Sequence, residues 1–266
     1  MKTIKLYYFK RALGNGNFGD ELNTLIPHKL FNTEIEHVSQ ERCEAIFIGS
    51  ILSIFLKEYP QQKTTPVKIW GSGFIRDLKE NDKLYRNVEV YALRGKKTLY
   101  DLERLTNHVY TDICLGDPGL LLSRCYNNLD FIKKYNYGII PHYVDANDEN
   151  LKKIKLKNSI VININDPVDT IVKQIVSCEY ILSSAMHGLI AADSFGIPNI
   201  RFIASYKLTG DEYKFDDYYS AFDMKQPQPI DLRKLEELND ISFDYKISQQ
   251  KVKEIQEKLI RSFPYV

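Results

Sequence analysis

An α/β fold of two Rossmann-like lobes, each a mostly parallel sheet facing a central cleft, is predicted by three features of the 266-residue chain. Short apolar runs rich in β-branched and aromatic residues alternate with helical patterns, which is the signature of parallel sheets covered on both faces. The runs fall into two sets divided by a polar stretch. Small residues follow several runs directly, at the strand ends where such sheets bind ligands.

The first set comprises residues 4–9, 45–48, 67–70, 88–93 and 109–113, and the second residues 137–140, 160–164, 180–182 and 200–203. Nine strands are many for one short sheet. The polar segment at 126–136 (YNNLDFIKKYN) therefore divides a first lobe, 1–136, from a second, 137–240. Helical patterns fill the gaps, among them residues 97–105 and 167–176. Asp166 is placed to cap the second of these, with Pro167 at its first position, where a missing donor costs nothing. In the last segment, 241–266, Ile247, Val252, Ile255 and Leu259 form one stripe of a helix able to pack back on the first lobe.

Apolar residues make up 44 % of the chain, and 36 Lys and Arg nearly cancel 35 Asp and Glu. A net charge of +1 gives no field to hold nucleic acid, so any anion must be met by a local cluster. The N-terminal MKTIKLYYFK is too short and polar for a signal peptide, and no run of about 18 apolar residues exists, so a cytoplasmic location is expected. Cys43, Cys114, Cys125 and Cys178 are widely spaced without a CxxC, which reads as free thiols and no metal site.

Five strand ends carry more than a plain loop requires. Residues 13–23 (LGNGNFGDELN) lead into a helix start that favours an anion, with Asn17 and Phe18 within reach of a ligand. Asp20 reads there either as a helix cap or as a catalytic base. Gly49-Ser50 and Gly71-Ser72-Gly73 let a ligand lie against backbone, or simply make tight turns, and Arg76 stands just beyond the second. Arg94, in LRGKKT, can grip a carboxylate or phosphate at two points. The fifth is the longest: Ser183 and Ser184 end a buried run, and a helix opens near His187 and Gly188. An imidazole there can shuttle a proton near neutral pH, although a capping or core histidine fits the same pattern. His142 lies at the lobe junction. Lys214 belongs to a polar aromatic segment suited to a sugar or to an ordinary surface loop, whereas His28, His37 and His108 read as surface residues.

In order, NFGDELN, GSG, LRGKKT, LGDPGLLL and SSAMHGLIAADSFGIPN resemble the polysaccharide pyruvyl transferases across roughly residues 15–218. The resemblance implies a two-lobed fold like the GT-B glycosyltransferases. It implies phosphoenolpyruvate as donor, with no other cofactor and no metal. The acceptor it implies is a hexose of galactose type, bearing a 4,6-ketal, in a bacterial surface glycan or lipid-linked oligosaccharide, the only link to the inner face of a membrane. On that reading His187 is the acid and Asp20 the base. Arg94, Ser183, Ser184, Gly188, Gly71, Ser72, Gly73, Arg76 and Arg201 hold the donor, and Asn17, Phe18, Gly49, Ser50, His142 and Lys214 meet the acceptor. Many members carry an arginine where this chain has Ala185, so another cation must replace it, with Arg94, Arg76 and Arg201 as candidates. Two other readings share the architecture: a nucleotide-sugar glycosyltransferase, and a glycan-binding member that has lost catalysis.

Overall fold

The computed structural model describes residues 2–10, 17–58, 65–127, 132–242 and 244–265. Residues 13–16 of the glycine-rich loop and 128–131 of the polar divider lie outside them.

Two parallel sheets carry the fold. The first has the order β2(Thr33–His37)-β1(Lys2–Leu6)-β3(Ala45–Ile46)-β4(Val67–Trp70)-β5(Val88–Leu93)-β6(Cys114–Leu115). The second has the order β11(Ile230–Asp231)-β10(Asn199–Ile203)-β9(Cys178–Ser183)-β7(Tyr135–Ile140)-β8(Ser159–Val161). Every strand pair among the described residues is parallel. Counted from its own first strand, each sheet runs 2-1-3-4-5, and the first adds a sixth. In such sheets the loops after strands 1 and 3 diverge and open a crevice. That order yields two openings, after β1 and β3 and after β7 and β9.

Helices α1(Phe18–Phe31), α2(Lys96–Thr106), α3(Val168–Val176), α4(Met186–Ser194), α5(Asp211–Ser220) and α6(Gln249–Arg261) cover the sheets. The lobes share one core. Leu22 and Ile26 of α1, Leu120 and Leu121 of the 3₁₀ segment Pro118–Cys125, Ile171 and Ile175 of α3 and Leu189 and Ile190 of α4 belong to one buried apolar cluster. Helix α6 buries Val252, Ile255 and Leu259 on this cluster. The Trp70 indole of β4 donates to the Leu259 carbonyl at 3.1 Å, and Phe263 stacks on Phe31 at 3.9 Å. Behind α4, fully buried Asp193 accepts from Tyr218, Asn199 and Tyr245, tying α4, α5, β10 and the approach to α6 together.

Three local readings are corrected. The run at 109–113 is not a strand: Val109 is 71 % exposed, and Asn107 and Asp112 take left-handed φ values of 50° and 58°, so the chain turns before β6. Asp166 does not cap α3; it accepts from Asn163 instead, and Pro167 stands at the N-cap. Strand β2 went unseen because TEIEH offers one aliphatic residue among charges, which suits the sheet edge it occupies. All four cysteines are free thiols, and burial pushes Cys114, Cys125 and Cys178 up to about 11, 12 and 11.

Phe263→Ala removes the ring that seats α6 on β4. A loss of about 3–5 kcal/mol is expected in denaturant midpoints, the usual cost of deleting a buried aromatic side chain. A loss below about 1 kcal/mol means that α6 is not fixed by this contact.

Candidate active site

The two openings face each other across a cleft of about 250 Å³. From the first lobe come Phe9 after β1, Asn17 and Asp20 at the start of α1, and Gly49, Ser50 and Ile51 after β3. From the second come His142 and Tyr143 after β7, and Ala185, Met186 and His187 after β9. Ile75, Ile164 and Lys214 complete the lining.

Helices α1 and α4 both begin at this cleft, after Asn17 and Ala185, and neither has a side-chain cap. The positive ends of both helices point at the same space, with the first amide of α1, Phe18, donating to the Ile164 carbonyl at 3.2 Å and those of Asp20 and Glu21 returning to the Asn17 carbonyl. Lys214, on α5, adds a full charge; its ammonium donates to the Thr209 carbonyl at 3.2 Å and is otherwise mostly buried.

His187 is the second residue of α4, and Gly19 makes the slot for its ring. A β-carbon on Gly19 would fall 2.1 Å from Nδ1, and one on Gly119 would fall 3.6 Å from Cδ2. Nε2 turns the other way, 3.7 Å from Oδ2 of fully buried Asp117. Asp20 lies beside the ring on the α1 side. Burial pushes its carboxyl up to about 7, with nearby His187 and a hydrogen bond from Asn17 opposing the rise and Glu21 adding to it. At neutral pH such a carboxyl both gives and takes a proton.

Of the residues singled out in the sequence, Asn17, Asp20, Gly49, Ser50, His142, His187 and Lys214 meet in the cleft. The others do not line it. Arg94 is fully buried: Nε donates to Asp217 at 2.8 Å, one terminal nitrogen to the Phe74 carbonyl at 2.6 Å, and the other to Ser50 Oγ. Its partners consume the fork that a donor would need, so it does not share an opening with His187. It acts on the cleft only through Ser50. Arg76 is held in two-point fashion by Asp82 and lines a neighbouring groove. Arg201 lies under α5, 2 % exposed, with its guanidinium 4.0 Å from the Phe215 ring centre.

Ser183 and Ser184 are likewise turned inward. Ser183 bonds the Ile140 and Ala185 carbonyls, and Ser184 donates to Asp145 while accepting from the His142 amide, which fixes the loop carrying His142. Ser72 donates to the Gly49 carbonyl, and Phe18 is core, 1 % exposed. The glycines serve close packing: Gly71 faces Pro118, Gly73 faces Arg94, and Gly188 faces Ser183. Asp117, Gly19 and Gly119 went unnoticed in the sequence as site residues. They sit inside NFGDELN and LGDPGLLL, the two motifs whose job is to frame the histidine.

Two Rossmann-like lobes whose openings meet over a helix-borne histidine define a GT-B-like α/β protein. The chain belongs to the polysaccharide pyruvyl transferase family, whose profile matches residues 6–206, and it is accordingly a transferase. It is 35 % identical over 241 residues to an uncharacterized protein, L143, of Acanthamoeba polyphaga mimivirus, covering 85 % of this chain and 77 % of that one. It is 22 % identical over 218 residues to the succinoglycan biosynthesis protein ExoV of Rhizobium meliloti (strain 1021), covering 81 % of this chain and 64 % of ExoV. No helix among the described residues is long and apolar enough to cross a membrane.

Two predictions follow from these buried charges. In Arg94→Met, Asp217 keeps its bonds from Thr98 but loses its countercharge, and a loss of about 3–5 kcal/mol is expected in urea unfolding. Asp20 is raised from the ordinary 3.8 to about 7, so the unfolded chain ionises first as pH rises. Stability should therefore fall between pH 4 and 7, by roughly 2–4 kcal/mol from this group. Asp20→Asn should flatten that slope in a series of urea midpoints, and parallel curves for the two proteins would contradict the assignment.

Proposed function

We propose that this protein moves the pyruvyl group of phosphoenolpyruvate onto two hydroxyls of a hexose, closing a 4,6-ketal on a galactose-type unit of a surface glycan or its lipid-linked precursor. The reading rests on one observation: the family-matched segments converge on a histidine at an uncapped helix start, with a half-protonated carboxyl beside it. ExoV, by its name a succinoglycan biosynthesis protein, supports a glycan as the acceptor.

The chemistry uses what lines the cleft. Protonated His187 gives its proton to the methylene carbon of the enol ether, and an acceptor hydroxyl oxygen bonds to the central carbon. The hydroxyl proton goes to the Asp20 carboxylate. The central carbon now carries a methyl, the carboxylate, the phosphate and one sugar oxygen. The second hydroxyl then displaces phosphate, giving its proton to neutral His187 while Asp20 protonates the departing phosphate. Both groups return to their starting states, and the products are the ketal and inorganic phosphate. Two negative groups on one carbon need fixed positive partners through both steps. The starts of α1 and α4 and the Lys214 ammonium supply them, with Lys214 in place of the arginine absent at Ala185.

The acceptor enters beside the aromatic face of Phe9. A second groove, lined by Tyr7, Ile54, Leu56 and Arg76, shares Phe9, Ser50, Ile51 and Ile75 with the cleft and offers a path for the rest of the glycan. Aromatic and aliphatic walls of this kind suit the apolar faces of sugar rings.

Incubation with phosphoenolpyruvate and a panel of β-galactosides should release phosphate with a matching mass gain on the sugar. His187→Gln should lower kcat at least about 100-fold, the usual worth of a positioned acid. Lys214→Met should weaken phosphoenolpyruvate binding about tenfold, as expected for losing one charge-assisted contact. Thermal stabilisation by a nucleoside diphosphate but not by phosphoenolpyruvate would overturn the reading in favour of glycosyl transfer.

A further inference from the structure

The proposed proton transfer leaves one charged group beside His187 without a task. Asp117 has no exposed surface, and its two oxygens are used unequally. Oδ1 accepts from the Gly119 amide at 2.8 Å, capping the 3₁₀ segment that opens at Pro118. Among the described residues Oδ2 has no hydrogen-bond partner, and neither does His187 Nε2, the atom it faces at 3.7 Å. Two buried polar atoms of opposite character, each unsatisfied and each aimed at the other, are costly unless they act as a pair. The separation is beyond a direct hydrogen bond but well within the range at which a carboxylate favours a neighbouring cation.

The slot admits few other influences on the ring. Asp20 approaches from α1, Lys214 and His142 line the same cleft, and among the described residues Asp117 is the carboxylate that faces Nε2. The backbone cap anchors Asp117, so the carboxylate cannot swing away. A β-carbon on Gly119 would crowd Asp117 Oδ1 and Ile190 at 3.0 Å, so the glycine leaves room for the cap that holds Asp117.

We propose that Asp117 is the positioning residue of the acid: its Oδ2 fixes the Nε2 edge of the His187 ring, and so its tautomer and orientation, and leaves Nδ1, the nitrogen on the Gly19 side, to serve the substrate. The inference rests on the pyruvyl-transfer reading for its consequence, while the pairing itself does not depend on turnover. Asp117 touches no substrate and acts only through the imidazole. The pair resembles the carboxylate–histidine arrangements in which a buried acid fixes the tautomer and orientation of a catalytic ring.

The test compares the wild type with Asp117→Asn, which keeps the oxygen that accepts from Gly119 and removes the charge. Asp117→Ser, with a hydroxyl able to cap the same turn, serves if the amide variant does not fold, as judged by circular dichroism. With phosphoenolpyruvate and an accepted glycoside, kcat should fall about 10- to 100-fold. The KM for phosphoenolpyruvate should stay within about twofold, and the basic limb of the kcat profile should move down by about one pH unit. A residue that only shapes the loop would lower kcat without moving that limb. Independently of turnover, the His187 ring is followed by NMR across pH, its signals assigned by loss in His187→Gln. A titration displaced to lower pH in the Asp117 variant supports the pairing, and coincident titrations overturn it. Absence of turnover in the wild type counts against pyruvyl transfer alone, because the NMR comparison still decides the pair.

Discussion

The ion pair between Arg94 and Asp217 is the constraint on which the cleft depends. Arg94 directly follows β5 of the first sheet and Asp217 lies on α5, after the fourth strand of the second, so the contact ties the lobes together in addition to their shared core. Both side chains are fully buried, and isolation of either charge there would be strongly unfavourable. The surrounding bonds offset that cost: Thr98 gives Asp217 its backbone amide and its hydroxyl, while the Phe74 carbonyl and Ser50 each accept from one of the two terminal guanidinium nitrogens. Backbone comes close enough for this because Gly95 has no side chain; a β-carbon there would sit 1.7 Å from the Asp217 carbonyl oxygen. With Asp217 fixed, Lys214 one turn earlier is held over the cleft, and Ser50 is oriented on the opposite wall. The arginine thus governs the site without entering it.

Around this clamp the site balances opposing fields. Two uncapped helix starts and a lysine make the space attractive to an anion, yet two carboxylates flank the histidine at its centre. The two acids differ in surroundings. Asp117 accepts a backbone amide, whereas the shielding of Asp20 from water raises its carboxyl to about 7.

The layout of the fold was legible because the cores of both sheets are continuous apolar runs, and β4 and β5 coincide with residues 67–70 and 88–93. Where burial is one-sided, the signal failed. The edge strand β2 is mostly charge, and the 109–113 run is apolar in composition but sits in a turn. In the site, motif order located the right loops, and seven of the residues singled out line one cleft. Their individual roles were harder to read. An arginine or serine beside a glycine looks the same in a sequence whether it faces a ligand or the protein's own backbone; Arg94, Ser183 and Ser184 do the latter. Asp117 was hidden for a related reason, since only three-dimensional proximity couples a residue after β6 to one at the start of α4.

The shared 2-1-3-4-5 strand order has an evolutionary corollary. Because each half places its variable loops over the other half's opening, the walls that would distinguish one sugar from another are Phe9, Ile51, Ile75 and Tyr143, all on connections outside the sheets. Such positions can drift, lengthen or be exchanged while the histidine slot and the cross-lobe clamp stay intact. Diversification among relatives of this chain should therefore concentrate at the rim and spare the floor.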